Sequence, residues 1–417
     1  MNLAEQMLLK KAIEYKKRIT LYQNKYKNIF LQNFQEIPLL RKSELIEDQK
    51  KNQPFGSFLN IGIDQVVRIH RTSGTTDKPL ILALTQNDEE CVVKTGRKAF
   101  KGTGVTNGDI IVNCMNYCMW MGGFMDHRSL EATGAAVIPY GVGHTENLID
   151  LIRMMPNICI HSTPSYLSRI EKVAKEKYGI NPDELGIKKG LFGGEGGLSD
   201  KEYREQLEKK WGMEIYDANY GMSEVMSIIA AEDQKKNGLK FAAQDILYPE
   251  LYIKERNSVS NSNICGGEVG ELVLSNCCKE AQPLIRYATG DIIKIIEAED
   301  EEIKKDFKFI VLGRSDDMIV VKGINFYPNV LKNIIYKYTE CTGNYQVKIL
   351  NKNIVDYVRL IIELKNQLDP AHSEYLRKAI SEEINLMYFV KCDVRFSTCL
   401  ISGNNKLRMI ERVKEFE

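Results

Sequence analysis

Short apolar runs punctuate this chain at two spacings, and the change of spacing divides it. From about residue 66, the runs VVRIH and LILALT flank a hydroxyl-rich stretch, predicting a strand-loop-strand element. DIIVNC (109–114), AAVIPY (135–140), NICIHS (157–162) and KKGLFGG (188–194) follow, each trailed by a helix-capable stretch. Such recurrence predicts an α/β fold with a largely parallel sheet covered on both faces. After about 240 the runs crowd together (YPELYI, GELVLSN, PLIRYATGDIIKII, FKFIVLG), with Gly and Asn turns between them, predicting a small β-rich part over about 240–312. GRSDDM (313–318) interrupts the apolar pattern, and a compact α/β pattern fills the remainder. The pattern predicts a large N-terminal domain (1–312) and a small C-terminal domain (318–417), with the boundary at 313–317. Residues 1 to about 50 are charged and helix-like, and are expected to wrap the first domain's surface.

Composition narrows the partners. At 417 residues the chain exceeds the usual single core. Lys plus Arg (57) nearly balance Asp plus Glu (56), which argues against nucleic acid while permitting a local phosphate pocket. No run approaches about 18 uncharged apolar residues, so no membrane partner and a cytoplasmic location are expected. The ten cysteines read as reduced, buried small hydrophobes. Cys114 and Cys118 near His127 lack a closing pair of ligands for zinc.

The hydroxyl-rich stretch, RTSGTTDKP (71–79), packs Thr72, Ser73, Gly74, Thr75, Thr76 and Lys78 into one loop. Backbone N–H groups, hydroxyls and one ammonium can grip phosphate oxygens, and the same run also reads as a polar hairpin turn. Gly193 to Gly197, interrupted by Glu195, give permissive backbone after a strand end. Tyr117, Trp120, Gly122, Gly123, Phe124, His127 and Tyr140, with Pro164 to Tyr166, supply flat surfaces near predicted strand ends. They suit a planar acid or, equally, a packed core between sheet and helix.

RTSGTTDKP, YDANYGMSE (216–224), PLIRYATGD (283–291), GRSDDM and VKGINFYP (321–328) occur in the order found in adenylate-forming enzymes. The chain resembles their phenylacetate-CoA ligase branch from about residue 54 to 410. That resemblance implies an AMP-forming acid-thiol ligase. ATP and a carboxylic acid, aryl or arylacetic, form an acyl-adenylate, and a thiol then displaces AMP. The thiol is that of CoA or of a carrier protein's phosphopantetheine. Magnesium and a possible homodimer come with the same family habit.

The resemblance also distributes roles. Thr72 to Thr76 and Lys78 would line the phosphates, and Glu224 would be a catalytic, magnesium-linked carboxylate. Gly194, Glu195, Gly196, Asp217, Ala218, Asn219, Tyr220, Gly221, Met222 and Ser223 would surround adenine and ribose. Asp291 would chelate the ribose hydroxyls beside Arg314. Asp316 would be the hinge, Lys322 and Gly323 would face the thiol channel, and Lys406 would be the C-terminal catalytic lysine. Departures stand beside these matches. Asp77 replaces the family's glycine in the phosphate loop, FGGEGG alters the adenine-side segment, Ile246 stands where histidine is frequent, and Asn405 precedes Lys406. These departures leave open a non-catalytic nucleotide-binding or scaffolding paralogue.

Overall fold

The computed structural model describes the chain apart from residues 73–78, 156, 197, 316–318, 322–323, 327, 329–330, 353–354, 389, 401–409 and 415–417. It divides into two compact units, Met1–Glu195 with Leu207–Val311, and Gly196–Gln206 with Leu312–Glu417.

The first unit opens with helices α1 (Leu3–Arg18) and α2 (Thr20–Lys25), strand β1 (Leu40–Arg41) and helix α3 (Lys42–Lys51). Asn2 and Glu5 form a reciprocal capping box that starts α1. Leu8, Leu9, Ala12 and Tyr15 lie on one helical face and enter the main core, as do Tyr22 and Tyr26. Tyr15 stacks on Tyr22, with ring centroids 5.8 Å apart, and Tyr22 meets Tyr26 at 5.3 Å. The Tyr22 hydroxyl donates to Pro283 O at 2.9 Å and accepts from Ile285 N–H at 3.1 Å. The stretch lies against the first unit as expected, but its tyrosine face enters the core, while Leu3, Met7, Lys10, Lys17 and Arg18 stay exposed.

Strands β2 (Arg68–Arg71) and β3 (Ile81–Leu84) pair antiparallel, giving the predicted strand-loop-strand element. Next come α4 (Gln86–Gly102), β4 (Ile110–Asn113), α5 (Met121–Glu131), β5 (Ala136–Pro139), α6 (Thr145–Met154) and β6 (Cys159–Ser162). The α/β run closes with α7 (Tyr166–Val173), β7 (Lys189–Gly193), α8 (Lys201–Trp211), β8 (Glu214–Met222) and β9 (Met226–Glu232). Pairs β4–β5, β4–β6, β6–β7 and β7–β8 are parallel, and β8–β9 is antiparallel. The β-rich part contributes β10 (Leu239–Phe241), β11 (Leu247–Ile253), β12 (Ser258–Ser260), β13 (Val269–Asn276), β14 (Tyr287–Ala298) and β15 (Phe307–Arg314).

All but β2 and β3 among these strands join one thirteen-stranded mixed sheet, ordered β12-β11-β13-β14-β15-β10-β9-β8-β7-β6-β4-β5, with β1 beside β14. The α/β class holds, while the β-rich part extends the same sheet instead of standing as an appended one. The join is made at β8–β9, where a Cβ on Gly221 would lie 2.0 Å from Ser227 O, so only glycine lets the two backbones close.

The second unit holds β16 (Ile319–Val321), β17 (Ile324–Phe326), α9 (Leu331–Ile335), β18 (Cys341–Lys352), β19 (Val355–Leu364), α10 (Pro370–Tyr388), β20 (Cys392–Ser397) and β21 (Ile410–Lys414). Its sheet runs β20-β19-β18-β21, and its own core includes Val347, Leu360, Ile362, Ile380 and Ile384. Residues Gly196–Gln206 group with it because Tyr203 stacks on Tyr336 at 4.0 Å and Glu202 pairs with Lys337 at 3.3 Å.

Candidate active site

Parallel strands β4, β6, β7 and β8 carry their carboxyl ends to one edge of the sheet, and chain order reverses around β4, which lies between β5 and β6. Open α/β sheets bind ligands at such an edge, where loops leave the strands without side-chain cover. Beyond β7 the chain turns at Gly194, whose φ of 77° favours glycine. Glu195 then accepts from the Ser165 hydroxyl at 2.9 Å and from Ser165 N–H at 3.3 Å, tying the β7 exit to the start of α7.

Strand β8 distributes its residues in several directions. Ala218 is wholly buried, so its side chain belongs to the core and only its backbone is left for a ligand. The Asn219 amide donates to Asp126 Oδ2 at 2.6 Å, Asp217 N–H donates to Glu232 at 2.8 Å, and Met222 packs on the main core. Tyr220 points its hydroxyl at Asp291 Oδ2, 2.7 Å away, with its ring edge-on to Phe309 at 5.3 Å. Tyr220 and Asp291, from separate motifs, thus meet at the carboxyl end of β8.

Asp126 was not singled out from the sequence. It is fully buried on α5, with His161 Nε2 at 3.1 Å, while His161 Nδ1 donates to Leu191 O at 2.8 Å. Burial pushes the Asp126 carboxyl up, against the opposing pull of His161 and Asn219. This cluster ties β6, β7, β8 and α5 together beneath the site. Its signal was a pair of polar residues, Asp126 and His161, inside otherwise apolar runs.

On the loop side, Thr72 exchanges two hydrogen bonds with Leu80, N–H to O at 2.9 Å and Leu80 N–H to Oγ1 at 3.0 Å, closing the neck of the 73–78 segment. Ser73, Gly74, Thr75, Thr76, Asp77 and Lys78 lie outside the described residues. Ser223 and Glu224 occupy the turn after β8. Glu224 is buried, and its Oε1 accepts from the Tyr287 hydroxyl at 2.7 Å beside the Lys42 ammonium at 3.0 Å. Burial opposes its charge, but Lys42 and Tyr287 outweigh that and hold the carboxyl below its ordinary value. Lys42 was not foreseen. With this partner already in place, the Glu224 carboxylate does not fit a resident magnesium ion in this arrangement. Among the described residues no group of three His, Cys, Asp or Glu side chains could hold a metal.

Lys279 donates to Glu224 O at 2.5 Å from a buried position. Burial lowers its pKa from 10.5 to about 8, with Asp88 and Glu224 pulling the other way. Between those two values the unfolded chain holds a proton that the folded chain has released, so stability rises with pH. Wild type should therefore gain on Lys279→Met by about 3 kcal/mol between pH 8 and 10.5. Urea unfolding across that range checks this, and a constant difference would reject the assignment.

On the other side of β4, a hydrogen-bond chain can be read atom by atom. Asn113 Oδ1 accepts from Met115 N–H at 3.1 Å, so its amide nitrogen donates to Gly123 O (3.0 Å) and the Tyr117 hydroxyl (2.8 Å). Tyr117 accordingly donates to His127 Nδ1 at 3.1 Å, leaving Nε2–H for Glu131, 3.2 Å away. Burial raises the Tyr117 pKa to about 12. Trp120 caps α5 and bridges to Arg71, while Phe124 packs on the main core under the Arg68 guanidinium, 3.8 Å from the ring centroid. Glu89, buried, pairs with both Arg68 and Arg128. At Gly123 a Cβ would sit 2.1 Å from Asn116 O, so that glycine answers to packing of the turn, and Gly122 lies beside it on α5. Tyr140 donates to His144 O at 2.7 Å.

Residues 323–405 match the family described as AMP-binding enzyme C-terminal domain. The chain is also 29% identical to the phenylacetate-coenzyme A ligase of Escherichia coli K12 over 399 residues, covering 94% of this chain and 88% of that one. With the Pseudomonas putida phenylacetate-coenzyme A ligase it shares 29% over 374 residues, 88% and 82% of the two chains. Over most of its length the chain is similar to phenylacetate-coenzyme A ligases. Its fold matches the crystal structure of 2-hydroxyisobutyryl-CoA ligase in the postadenylation state with 2-HIB-AMP, at a TM-score of 0.82 and 22% identity over 99% of this chain and 88% of that one.

Of the remaining motif residues, Arg314 ends β15 and is half-buried, and both it and Gly196 fall in the second unit. Asp316, Lys322, Gly323 and Lys406 lie outside the described residues. Ile246 is core.

Proposed function

We propose that this chain is an AMP-forming acid-CoA ligase that adenylates an aryl or arylacetic acid with ATP and then transfers the acyl group to CoA. The Tyr220–Asp291 pair at the carboxyl end of β8 carries the reading. A carboxylate is the side chain best able to accept both ribose hydroxyls, and the Tyr220 hydroxyl orients it while its ring stands beside Gly221.

In the first step the acid's carboxylate oxygen attacks the α-phosphorus of ATP, and the bond to pyrophosphate breaks. The 73–78 loop with Lys78 lines the leaving pyrophosphate, where charge grows in the transition state. Lys406 binds the entering carboxylate and α-phosphate. Glu224, in the turn that follows β8, is neutralised by Lys42 as polyphosphate enters. In the second step the CoA thiol, having lost its proton, attacks the acyl carbonyl and AMP leaves. Residues 313–317, with Asp316 as pivot, let Lys322 and Gly323 line the thiol's approach. Arg314 contributes to the nucleotide side.

The acid sits by Tyr117, His127 and Tyr140, within the flat region around Trp120. No helix among the described residues is long and apolar enough to cross a membrane, and a reaction drawing on ATP and CoA suits the cytoplasm. A homodimer is consistent with the family habit. Exchange of labelled pyrophosphate into ATP across a panel of aryl acids tests the adenylation step, and preference for a carrier-protein thiol over CoA would replace the acceptor named here.

A further inference from the structure

Cys91 on α4 and Cys278 on the connection between β13 and β14 place their sulfur atoms 3.7 Å apart, although far separated in sequence. Both are half-buried free thiols, so a small reagent can reach them. The segments that carry them are already pinned together on one side. Asp88, on the same helix as Cys91, accepts from Glu280 N–H at 2.7 Å and Ala281 N–H at 3.0 Å, and Thr85 donates to Glu280 at 2.7 Å. A bond requires the sulfurs to close from 3.7 Å to about 2.05 Å. The neighbouring Cys277 is excluded from this pairing. Its backbone is held away from Cys91, with its N–H donating to Ile246 O at 2.9 Å and its carbonyl accepting from Lys11 at 2.5 Å.

We propose that Cys91 and Cys278 form a reversible disulfide, an oxidation site separate from the nucleotide and acid sites. The oxidant is a small-molecule disulfide. Cys278 attacks as thiolate, joining one sulfur of the reagent and expelling the other half as a thiolate. Cys91 then loses its proton and attacks Cys278 Sγ, releasing the second half. Two protein thiols become one disulfide, and the reagent is reduced to two thiols. The order follows from the existing contact. The two sulfurs share a hydrogen bond that either can donate, and within it the Cys278 thiol is held below its ordinary value, while the hydrogen bond and burial raise that of Cys91. The cross-link would bear on Lys279, the next residue, and so on the Glu224 carbonyl that Lys279 holds.

The full-length protein treated with 2-hydroxyethyl disulfide and then iodoacetamide tests this without reference to acid activation. Peptide mapping should recover the Cys91 and Cys278 peptides joined, with alkylation lost at both, and a thiol reductant should restore it. Cys91→Ser should stop at a mixed disulfide on Cys278. The joined form should also unfold at higher urea concentration than the reduced form, since the bond closes a long loop. Recovery of a Cys277–Cys278 link, or undiminished alkylation of Cys91 and Cys278 in folded protein, would overturn the proposal.

Discussion

Arg286→Ala is expected to cost the protein roughly 3–5 kcal/mol, a large share of a typical domain's stability. Arg286 lies in the PLIRYATGD motif, but its guanidinium faces inward. It makes a bidentate pair with Glu250, Nε and Nη2 each at 3.0 Å, and donates from Nη1 to Gln35 O and Ile37 O, both at 2.8 Å. Both partners are almost wholly buried, so removing one leaves an uncompensated carboxylate and two carbonyls without their donor. Burial already pushes Glu250 up to about 7 despite the pull of Arg286. Without Arg286 the folded chain would take up a proton there that the unfolded chain does not hold at neutral pH. Removing Arg286 pushes that carboxyl higher still, so stability of the variant should recover as pH falls from above 7 toward 4.5. Urea unfolding at both ends of that range measures the effect, and a variant with wild-type midpoints would show the pair to be dispensable.

Asp291→Ala should leave folding close to normal and lower kcat/KM for ATP by about a hundredfold or more. That is the loss of two hydrogen bonds to a charged acceptor at about 1.5 kcal/mol each. Tyr220→Phe removes the hydroxyl that donates to Asp291 at 2.7 Å and should fall between that variant and wild type. The effect should appear with ATP as the varied substrate and be small with the acid varied. Equal losses for both substrates would point to a general disturbance of β8 rather than a ribose contact.

Much of the architecture was legible because buried parallel strands read as apolar runs, and the antiparallel strands β2 and β3 flank the hydroxyl-rich stretch as their apolar runs predict. The tyrosine face of α1 and α2 was harder to see. Lysines and arginines dominate that stretch, and the spacing of Tyr15, Tyr22 and Tyr26 marks a helix face without saying what it packs on. The continuity of the sheet through β8 and β9 rests on Gly221, whose packing against Ser227 O has no local pattern. Residues Gly196–Gln206 group with the second unit through Tyr203 and Tyr336, a pairing that neither stretch encodes by itself.

The site was legible in the same uneven way. Tyr220 and Asp291 came from ordered motifs and do meet. Lys42, Asp126 and His161 did not, because each gains meaning only from a distant partner. Lys42 changes the reading of Glu224 most, since a carboxylate expected to face a metal is paired with an ammonium.

Adenylation itself is tested most directly by acid-dependent exchange of labelled pyrophosphate into ATP, measured on the purified chain without any thiol. Exchange above the acid-free rate with an aryl or arylacetic acid, abolished by Lys406→Ala, is the predicted result. Nucleotide binding with no exchange for any acid in the panel would contradict the account and leave a binding protein built on a ligase fold.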